Sequence, residues 1–329
     1  MDEYSVKTAV LLIFFVRSDT FSKVFEAVRK ARPRKLYLSQ DGPRPDHPDD
    51  LEKIMEVRKI AESVDWPCTV ERFYRTENLG CDPSEHASVS WAFEHEDRLI
   101  TLEDDDVPSL SFFRYCDELL ERYEDDKRIF MICGRNQISN LEDRERYYDG
   151  AYSYFYSMSD AIWGWATWKD RWELCDPNHD FLLSEEAKED IIRNSPTAYA
   201  GRRFIELCER HRKETAETGK VASYETPIKA AIYLHHMLSV IPGENLIKNV
   251  GITGDSVHSV SDLKDVPKGM RSIYLLDAGE LDFPLKHPPY MLDNKRFLLK
   301  RTQIQAKDSK WRGVARMFEV AARKRLGRK

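Results

Sequence analysis

Short apolar runs alternate with amphipathic stretches along the first third of the chain. Every side chain from Ala9 to Val16 is apolar, which is typical of a strand buried on both faces. Phe21, Val24 and Val28 then recur at the spacing of one helix face. The alternation continues in predicted strands at 35–39, 68–74 and 98–102 and predicted helices at 51–64 and 83–95. This order predicts a parallel sheet with right-handed crossover connections.

The rest of the chain carries the same kinds of pattern, less regularly. The predicted elements are a helix at 112–123, strands at 129–134 and 152–158, charged helical sequence at 183–219, a helix at 227–236 and a strand at 238–241. Together the two parts predict an α/β fold with a mixed, mainly parallel sheet flanked by helices.

Length and charge narrow the functional classes. With 329 residues, 41% apolar and 33% charged, the chain fits one large or two small domains. The net charge of −6 is uneven, because residues 300–329 hold 11 Lys and Arg against 2 acids and leave −15 on residues 1–299. An acidic body argues against a nucleic-acid groove, so we expect no nucleic-acid partner.

Neither a membrane span nor a secretory signal is predicted. No stretch reaches 18 apolar residues, and Asp2 and Glu3 stand where a signal peptide carries basic residues. The six cysteines show no metal-site spacing, so reduced thiols are expected. We expect a cytoplasmic protein.

Four consecutive acids, Glu103 to Asp106, end the apolar run at 99–102. Carboxylates this close repel each other unless a cation lies among them, and Mg²⁺ and Mn²⁺ prefer oxygen ligands. Polar loops also follow the first two predicted strands, at 17–18 and 40–42. The three loops share one edge of a parallel sheet, where open α/β sheets bind ligands. The sequence has no P-loop and no G-x-G-x-x-G motif, which argues against a P-loop enzyme and an ordinary dinucleotide-binding protein.

Two ordered sets of motifs resemble known glycosyltransferases. Ser39-Gln40-Asp41-Gly42, Glu103-Asp104-Asp105 and Phe112-Phe113-x-Tyr115 resemble N-acetylglucosaminyltransferase I. Asn78-x-Gly80-Cys81, the acidic strand and the stretch from Trp163 to Trp168 resemble bacterial family 2 enzymes of the GT-A fold. The resemblance spans roughly residues 9–260. It implies a GT-A (Rossmann-like, nucleotide-diphospho-sugar transferase) domain at 1–268, with a nucleotide-binding half at 1–136, an acceptor-binding half at 137–268 and a C-terminal extension at 269–329.

The resemblance implies a metal-dependent reaction. A sugar would pass, with inversion, from a nucleotide-diphosphate sugar, with UDP favoured, to a hydroxyl of a glycan or lipid-linked glycan. Mn²⁺ or Mg²⁺ would stabilise the charge of the leaving diphosphate. By resemblance Asp105 holds the metal and His258 supplies a further metal or phosphate contact, whereas Glu103 and Asp104 face the ribose and the second metal shell. Alternatively, Glu103 is a surface acid and His258 a solvent-exposed loop residue.

The donor nucleotide would lie among the loops at the same edge. By resemblance Arg17 contacts base or phosphate, Asp41 accepts a hydrogen bond from a pyrimidine N–H, and Asn78 and Gly80 let the backbone approach the nucleotide. Alternatively, Arg17 is a surface cation and Asp41 a turn residue. Asp82 stands where the bacterial relatives carry a basic residue, so no phosphate contact is expected from it.

The tryptophan cluster has two interpretations. Trp163 and Trp165 flank Gly164, and aromatic faces beside a glycine suit a sugar ring, so these three residues are predicted to line the sugar and acceptor site. Trp168 and Trp172 are four residues apart and are expected to pack one helix face.

Inverting transfer needs a base beside the acceptor hydroxyl. The stretch Ser223-Tyr224-Glu225-Thr226-Pro227 matches the position of an acidic Trp-Asp-type motif in the relatives, so Glu225 is the predicted base. Glu replaces Asp there and reaches about one methylene further. The alternative is an acid placed at a helix N-terminus by the helix dipole.

Two other functions compete with transfer. A sugar-phosphate nucleotidyltransferase shares a parallel sheet and acidic metal sites, but the loop after the first strand, residues 16–20, contains no glycine. A non-catalytic, cation-dependent sugar-binding module would need only the acids and aromatics.

Residues 310–329 combine an apolar stripe with many cations, which predicts peripheral binding to an anionic membrane surface at the inner face of the membrane. A solvated basic terminus is the alternative.

Overall fold

The computed structural model describes residues 4–252, 263–266 and 271–305. His258 and the basic stretch at 310–329 lie outside the described residues, so their predicted roles remain predictions.

One eight-stranded sheet and a two-stranded ribbon form the frame of the described chain. The strands are β1 (Ala9–Phe14), β2 (Lys35–Gln40), β3 (Thr69–Tyr74), β4 (Arg98–Glu103), β5 (Asp106–Pro108), β6 (Ile129–Cys133), β7 (Tyr154–Ser157), β8 (Trp165–Trp168), β9 (Leu238–Pro242) and β10 (Ile247–Asn249). The sheet order is β3-β2-β1-β4-β8-β6-β9-β7, and β5 pairs with β10 in the ribbon.

Strand direction confirms the predicted mixed, mainly parallel sheet. β1 pairs in parallel with β2 on one side and β4 on the other, and β2 pairs in parallel with β3. β8 runs antiparallel between β4 and β6, and β7 runs antiparallel beside β9. Because the chain leaves β1 in one direction and returns beside it as β4, the strand order reverses there. In an open α/β sheet such a reversal opens a crevice at the carboxyl ends of the strands.

Helices cover both faces of the sheet. They are α1 (Ser18–Ala31), α2 (Asp50–Ala61), α3 (Cys81–Phe93), α4 (Leu110–Arg122), α5 (Lys169–Trp172), α6 (Glu185–Asn194), α7 (Ala198–Thr218), α8 (Glu225–Leu234), α9 (Arg271–Tyr274) and α10 (Lys295–Gln305). Alternate residues of β1 enter two apolar clusters, Val10 with Phe21 of α1 and Leu11 with Val89 of α3. This two-residue period explains why the strand reads as continuously apolar.

The stretch around Trp168 departs from the prediction. Trp168 ends strand β8 instead of lying on a helix, and α5 is only the four residues after it. Ala166 pairs with Ile100 of β4 and with Ile132 of β6, so β8 fills a place in the middle of the sheet. β-Branched and aromatic residues favour a strand there, and pairing on both sides decides the outcome.

The sheet and its packing run across the predicted domain boundaries. β1–β4 and β6–β9 share one sheet, and Leu285 and Phe297, from the predicted extension, are buried in its two apolar clusters. A bridge also joins Asp293 to Tyr156 of β7. Within the described residues, no helix is long and apolar enough to cross a membrane.

Candidate functional site

Three carboxylates meet at the carboxyl end of β4. Oxygen atoms of Glu103, Asp105 and Asp106 lie within 4.8 Å of one another, and we name these residues the acidic trio. Glu103 ends β4 and Asp106 begins β5, so a two-residue turn brings the acids back toward each other. Sequence reasoning assigned the metal to Asp105 and missed Asp106, although the run of four acids already contained it.

Hydrogen bonds hold two members of the acidic trio in place. Asn249 of β10 donates through Nδ2 to Asp105 Oδ1 at 3.0 Å and to Asp106 Oδ1 at 3.1 Å. The backbone N–H of Gly164 donates to Asp106 Oδ2 at 2.9 Å. The side chain of Glu103, in contrast, makes no hydrogen bond or ion pair with any residue that the structure describes. Asp105 and Asp106 are thus held by the protein's own donors, and Glu103 is not.

Burial and mutual repulsion raise the pKa values of the acidic trio. Desolvation is the largest cause for each member, and the pKa of Glu103 and of Asp106 lies well above the ordinary value. Neighbouring acids add to the effect, with Glu85 the strongest of them at Glu103. A cation would remove this cost, since it replaces repulsion by attraction.

Helix α3 contributes a further acid that sequence reasoning did not single out. Desolvation raises the pKa of Glu85 to about 7, and the charges of Asp82, Asp105 and Asp104 raise it as well, against a hydrogen bond from Cys81. Glu85 lies one turn into α3. Only the placement of α3 against β4 brings this residue to the site, so no local pattern could have revealed it.

Arg17 neutralises Asp104, the acid of the run that does not belong to the acidic trio. It follows β1 and forms an ion pair with Asp104 and a second one, at 3.0 Å, with Asp105 Oδ2. Desolvation lowers the pKa of Arg17, but the two carboxylates outweigh it and raise the pKa overall. Asp104 is 5% exposed and lies outside the acidic trio. Arg17 is therefore already paired, and its predicted contact with base or phosphate stays a prediction.

Asp41 joins β2 to the loop at 78–80. Its carboxylate accepts the backbone N–H groups of Gly42 (2.9 Å), Leu79 (3.0 Å) and Gly80 (3.1 Å), and the Asn78 amide at 3.0 Å. A carboxylate offers about four lone-pair sites, and these bonds occupy them. The side chain is 6% exposed and serves the protein's own backbone, and its predicted contact with a pyrimidine N–H remains a prediction. Asn78 and Gly80 stand at the same edge as donors to Asp41.

Trp163 and Gly164 border the acidic trio. Gly164 has φ +58°, and a Cβ there would lie 2.3 Å from Ile247 Cδ1, so only glycine lets its N–H reach Asp106. Trp163 is partly buried, with the guanidinium of Arg135 4.1 Å from its ring centre. Its position beside the acids is compatible with the predicted sugar site, which remains a prediction.

Trp165 lies in the core instead of on the surface of the site. It is 1% exposed, and its indole N–H donates to the Tyr224 hydroxyl at 3.0 Å. Trp172 packs 6.2 Å away between ring centroids. No face of this indole is open to a sugar ring, which corrects the prediction for Trp165. Because successive side chains of a strand point to opposite faces, Trp165 lies on the face of the sheet opposite to that of Ala166, in the other apolar cluster.

Glu225 is the first residue of α8 and its side chain is exposed. Desolvation by the protein around it nevertheless raises its pKa, and the charge of Asp160 adds to this effect, whereas Arg301, Lys229 and Arg135 oppose it. A raised pKa suits a general base because the pKa of the group then lies closer to the pH at which the enzyme works.

A hydrogen bond ties the start of α8 to the start of α3. The backbone N–H of Tyr224 donates to Asp82 Oδ1 at 2.9 Å. This bond gives Asp82 a structural partner within the protein. It also holds the helix that carries Glu225 against the helix that carries Glu85.

The donor set of the acidic trio fits a hard divalent cation. All three ligands are carboxylate oxygens, as Mg²⁺ and Mn²⁺ prefer. Gly251 packs closely over the trio, since a Cβ there would lie 2.0 Å from Asp105 Oδ2. A separate cavity of 470 Å³ beside β7, lined by Tyr147 and Tyr290 among others, contains none of these acids.

Comparison with known proteins adds little to this geometry. No protein-family model and no curated protein matches the chain. Among solved structures, the chain is similar to a UDP-glucose pyrophosphorylase in complex with UDP-glucose, with a TM-score of 0.28 and 10% identity, over 70% of this chain and 99% of that chain. A similarity of this size supports no conclusion about what this chain binds or does.

Proposed function

We propose that the protein is a metal-dependent glycosyltransferase of the GT-A type. It moves a sugar from a nucleotide-diphosphate sugar, with UDP favoured, to a hydroxyl of a glycan or lipid-linked glycan, with inversion. The observation that carries the proposal is the acidic trio at the carboxyl ends of β1 and β4, where the strand order reverses. The resemblance of the sequence motifs supplies the class of reaction.

The residues of the site take distinct roles in this proposal. Glu103, Asp105 and Asp106 would hold Mn²⁺ or Mg²⁺, which when bound stabilises the negative charge on the leaving diphosphate. Glu225 takes the proton of the acceptor hydroxyl. As it does so, the oxygen of that hydroxyl bonds to the anomeric carbon, and the bond from this carbon to the diphosphate oxygen breaks. The products are the glycosylated acceptor and the free nucleoside diphosphate.

A product assay separates the proposal from its competitors. The full chain is incubated with Mn²⁺ and a panel of nucleotide-sugars, and free nucleoside diphosphate is measured, because transferases usually hydrolyse their donor slowly when no acceptor is present. A nucleotidyltransferase instead releases pyrophosphate from a nucleoside triphosphate and a sugar phosphate. A sugar-binding module yields neither product.

Binding of the nucleotide is tested in parallel by thermal shift with UDP, GDP, dTDP and CMP. A ligand that binds the native state raises its apparent stability, so one diphosphate should raise Tm in the presence of Mn²⁺ and not in the presence of chelator. An exposed control such as Glu71→Gln should behave as the parent chain does. Pyrophosphate release, or no metal-dependent shift with any nucleotide, would reject the proposal.

A further inference from the structure

Arg135 is a buried cation whose side chain has no hydrogen-bond partner among the residues that the structure describes. It follows β6, is 6% exposed, and its guanidinium lies 4.1 Å from the ring centre of Trp163. Its Nε has no hydrogen-bond partner, and the side chain makes no hydrogen bond or ion pair within the described part of the chain. Buried guanidinium groups are normally paired, since an unpaired buried charge is costly.

Charged side chains of the site act on Arg135. The charges of Glu225 and Asp106 both act on it, that of Glu225 more strongly. Arg301, which is 4% exposed, is already paired with Asp160 and repels Arg135. Desolvation, with that repulsion, lowers the pKa of Arg135 to about 10, so the group keeps its proton at neutral pH.

We infer that Arg135 recognises an anionic group, a carboxylate or phosphate ester, on the sugar or acceptor that lies between the acidic trio and Glu225. This inference rests on the proposed function and names its substrate class. The planar fork of arginine matches the oxygens of a carboxylate or phosphate, and the face of Trp163 fixes the plane of that fork. The guanidinium lies against Trp163, the residue predicted to line the sugar site, so we assign the anion to the reacting sugars and not to the diphosphate.

The test measures binding by calorimetry with the full chain and Mn²⁺. The ligands are UDP, UDP-glucose and UDP-glucuronate, a neutral and an anionic sugar on the same nucleotide. Arg135→Gln removes the charge and Arg135→Lys keeps it without the fork. Arg146→Gln is the matched control, because Arg146 is an exposed arginine that lines the separate cavity beside β7 and lies near Asp143 instead of the acidic trio. Circular dichroism and Tm establish that each variant is folded.

An anionic donor gives one signature. UDP-glucuronate should bind the parent chain about tenfold or more tightly than UDP-glucose, since charge-assisted hydrogen bonds are the stronger kind. Arg135→Gln should abolish that difference and Arg135→Lys should keep part of it, while UDP itself binds all variants equally.

An anionic acceptor gives a different binding signature. The two donors then bind equally, and methyl glucuronoside binds the UDP-loaded parent chain but not Arg135→Gln, whereas methyl glucoside binds neither. The inference is overturned if no ligand discriminates by charge, or if Arg135→Gln weakens UDP as much as the sugar nucleotides, which would assign Arg135 to the diphosphate. If no nucleotide of the thermal-shift panel binds the parent chain, the proposed function fails, and the inference fails with it.

Discussion

Replacing Glu103 by Gln should stabilise the protein when no metal is bound. Glu103 has no hydrogen-bond or ion-pair partner among the described residues, so the amide loses no native contact. Two ionised carboxylates no more than 4.8 Å apart repel by about 3.5 kcal/mol or more at an effective dielectric constant of 20. Burial first, and the neighbouring acids second, raise the pKa of Glu103 in the native state, so ionising this side chain costs more free energy in the folded protein than in the unfolded chain.

The repulsion between the acids sets the order of magnitude of the gain. Removing the charge of Glu103 removes about 3 kcal/mol of repulsion from one neighbouring carboxylate when both groups are ionised. The native pKa of Glu103 lies above the unfolded one, so the cost of folding with this acid is absent below the ordinary pKa and grows as pH rises toward the native pKa. Glu103→Gln should therefore gain up to about 3 kcal/mol at pH 7 and less at pH 5.

Urea or thermal unfolding at both pH values measures this gain. A gain of 3 kcal/mol corresponds to a Tm rise of about 4 °C for a chain of this size. Adding Mn²⁺ should reverse the order of the two proteins, because the variant has lost one anionic ligand and responds less to the metal. Glu71→Gln, an exposed change on the edge strand β3, controls for the loss of a charge. A destabilised variant at pH 7, or an unchanged response to Mn²⁺, would refute the reasoning.

Three further changes test other parts of the site. Glu225→Gln should lower transfer by about 10²–10⁴-fold, because the amide cannot take a proton, while calorimetry finds UDP affinity unchanged; a loss below about fivefold would remove Glu225 as the base. Asp41→Ala should destabilise the protein by about 2–4 kcal/mol in urea unfolding, since four N–H donors lose their acceptor; a change below about 1 kcal/mol would contradict its role as a junction. A chain ending at Ser309 should float less with anionic vesicles at low salt than the full chain, because each cation near such a surface contributes about 1 kcal/mol; equal flotation would exclude residues 310–329 as an anchor.

The sequence predicted the parallel part of the sheet because its information is local. An apolar run predicts the strand at Ala9–Phe14, and apolar residues at helical spacing predict the helix after it; both are found as predicted. The place of β8 could not be read in the same way. Whether Trp168 continues a strand or starts a helix depends on partners in β4 and β6, which are remote in sequence.

In the candidate site, too, the sequence predicted the features that depend on neighbouring residues and missed those that depend on packing between remote segments. The run of acids was visible, but which acids face each other depends on the turn between β4 and β5, so Asp106 joins the acidic trio and Asp104 turns to Arg17. Glu85 and Arg135 reach the site only through packing. Arg135 belongs to no sequence motif. It stands out because its buried Nε has no hydrogen-bond partner among the described residues, which only the three-dimensional structure reveals.

The pairing of β5 with β10 has a consequence for how the protein reaches its native state. Asn249, which holds both Asp105 and Asp106, is 143 positions from Asp106 along the chain. Contacts of such high contact order require a large loop to close and depend on prior assembly of the intervening segment. The four-acid run is made early by the ribosome, yet the site that these acids form is complete only when the later half of the chain has docked. Recovery of Mn²⁺ affinity during refolding would therefore report the last ordering step, after the β-α units of the first half have formed their helices.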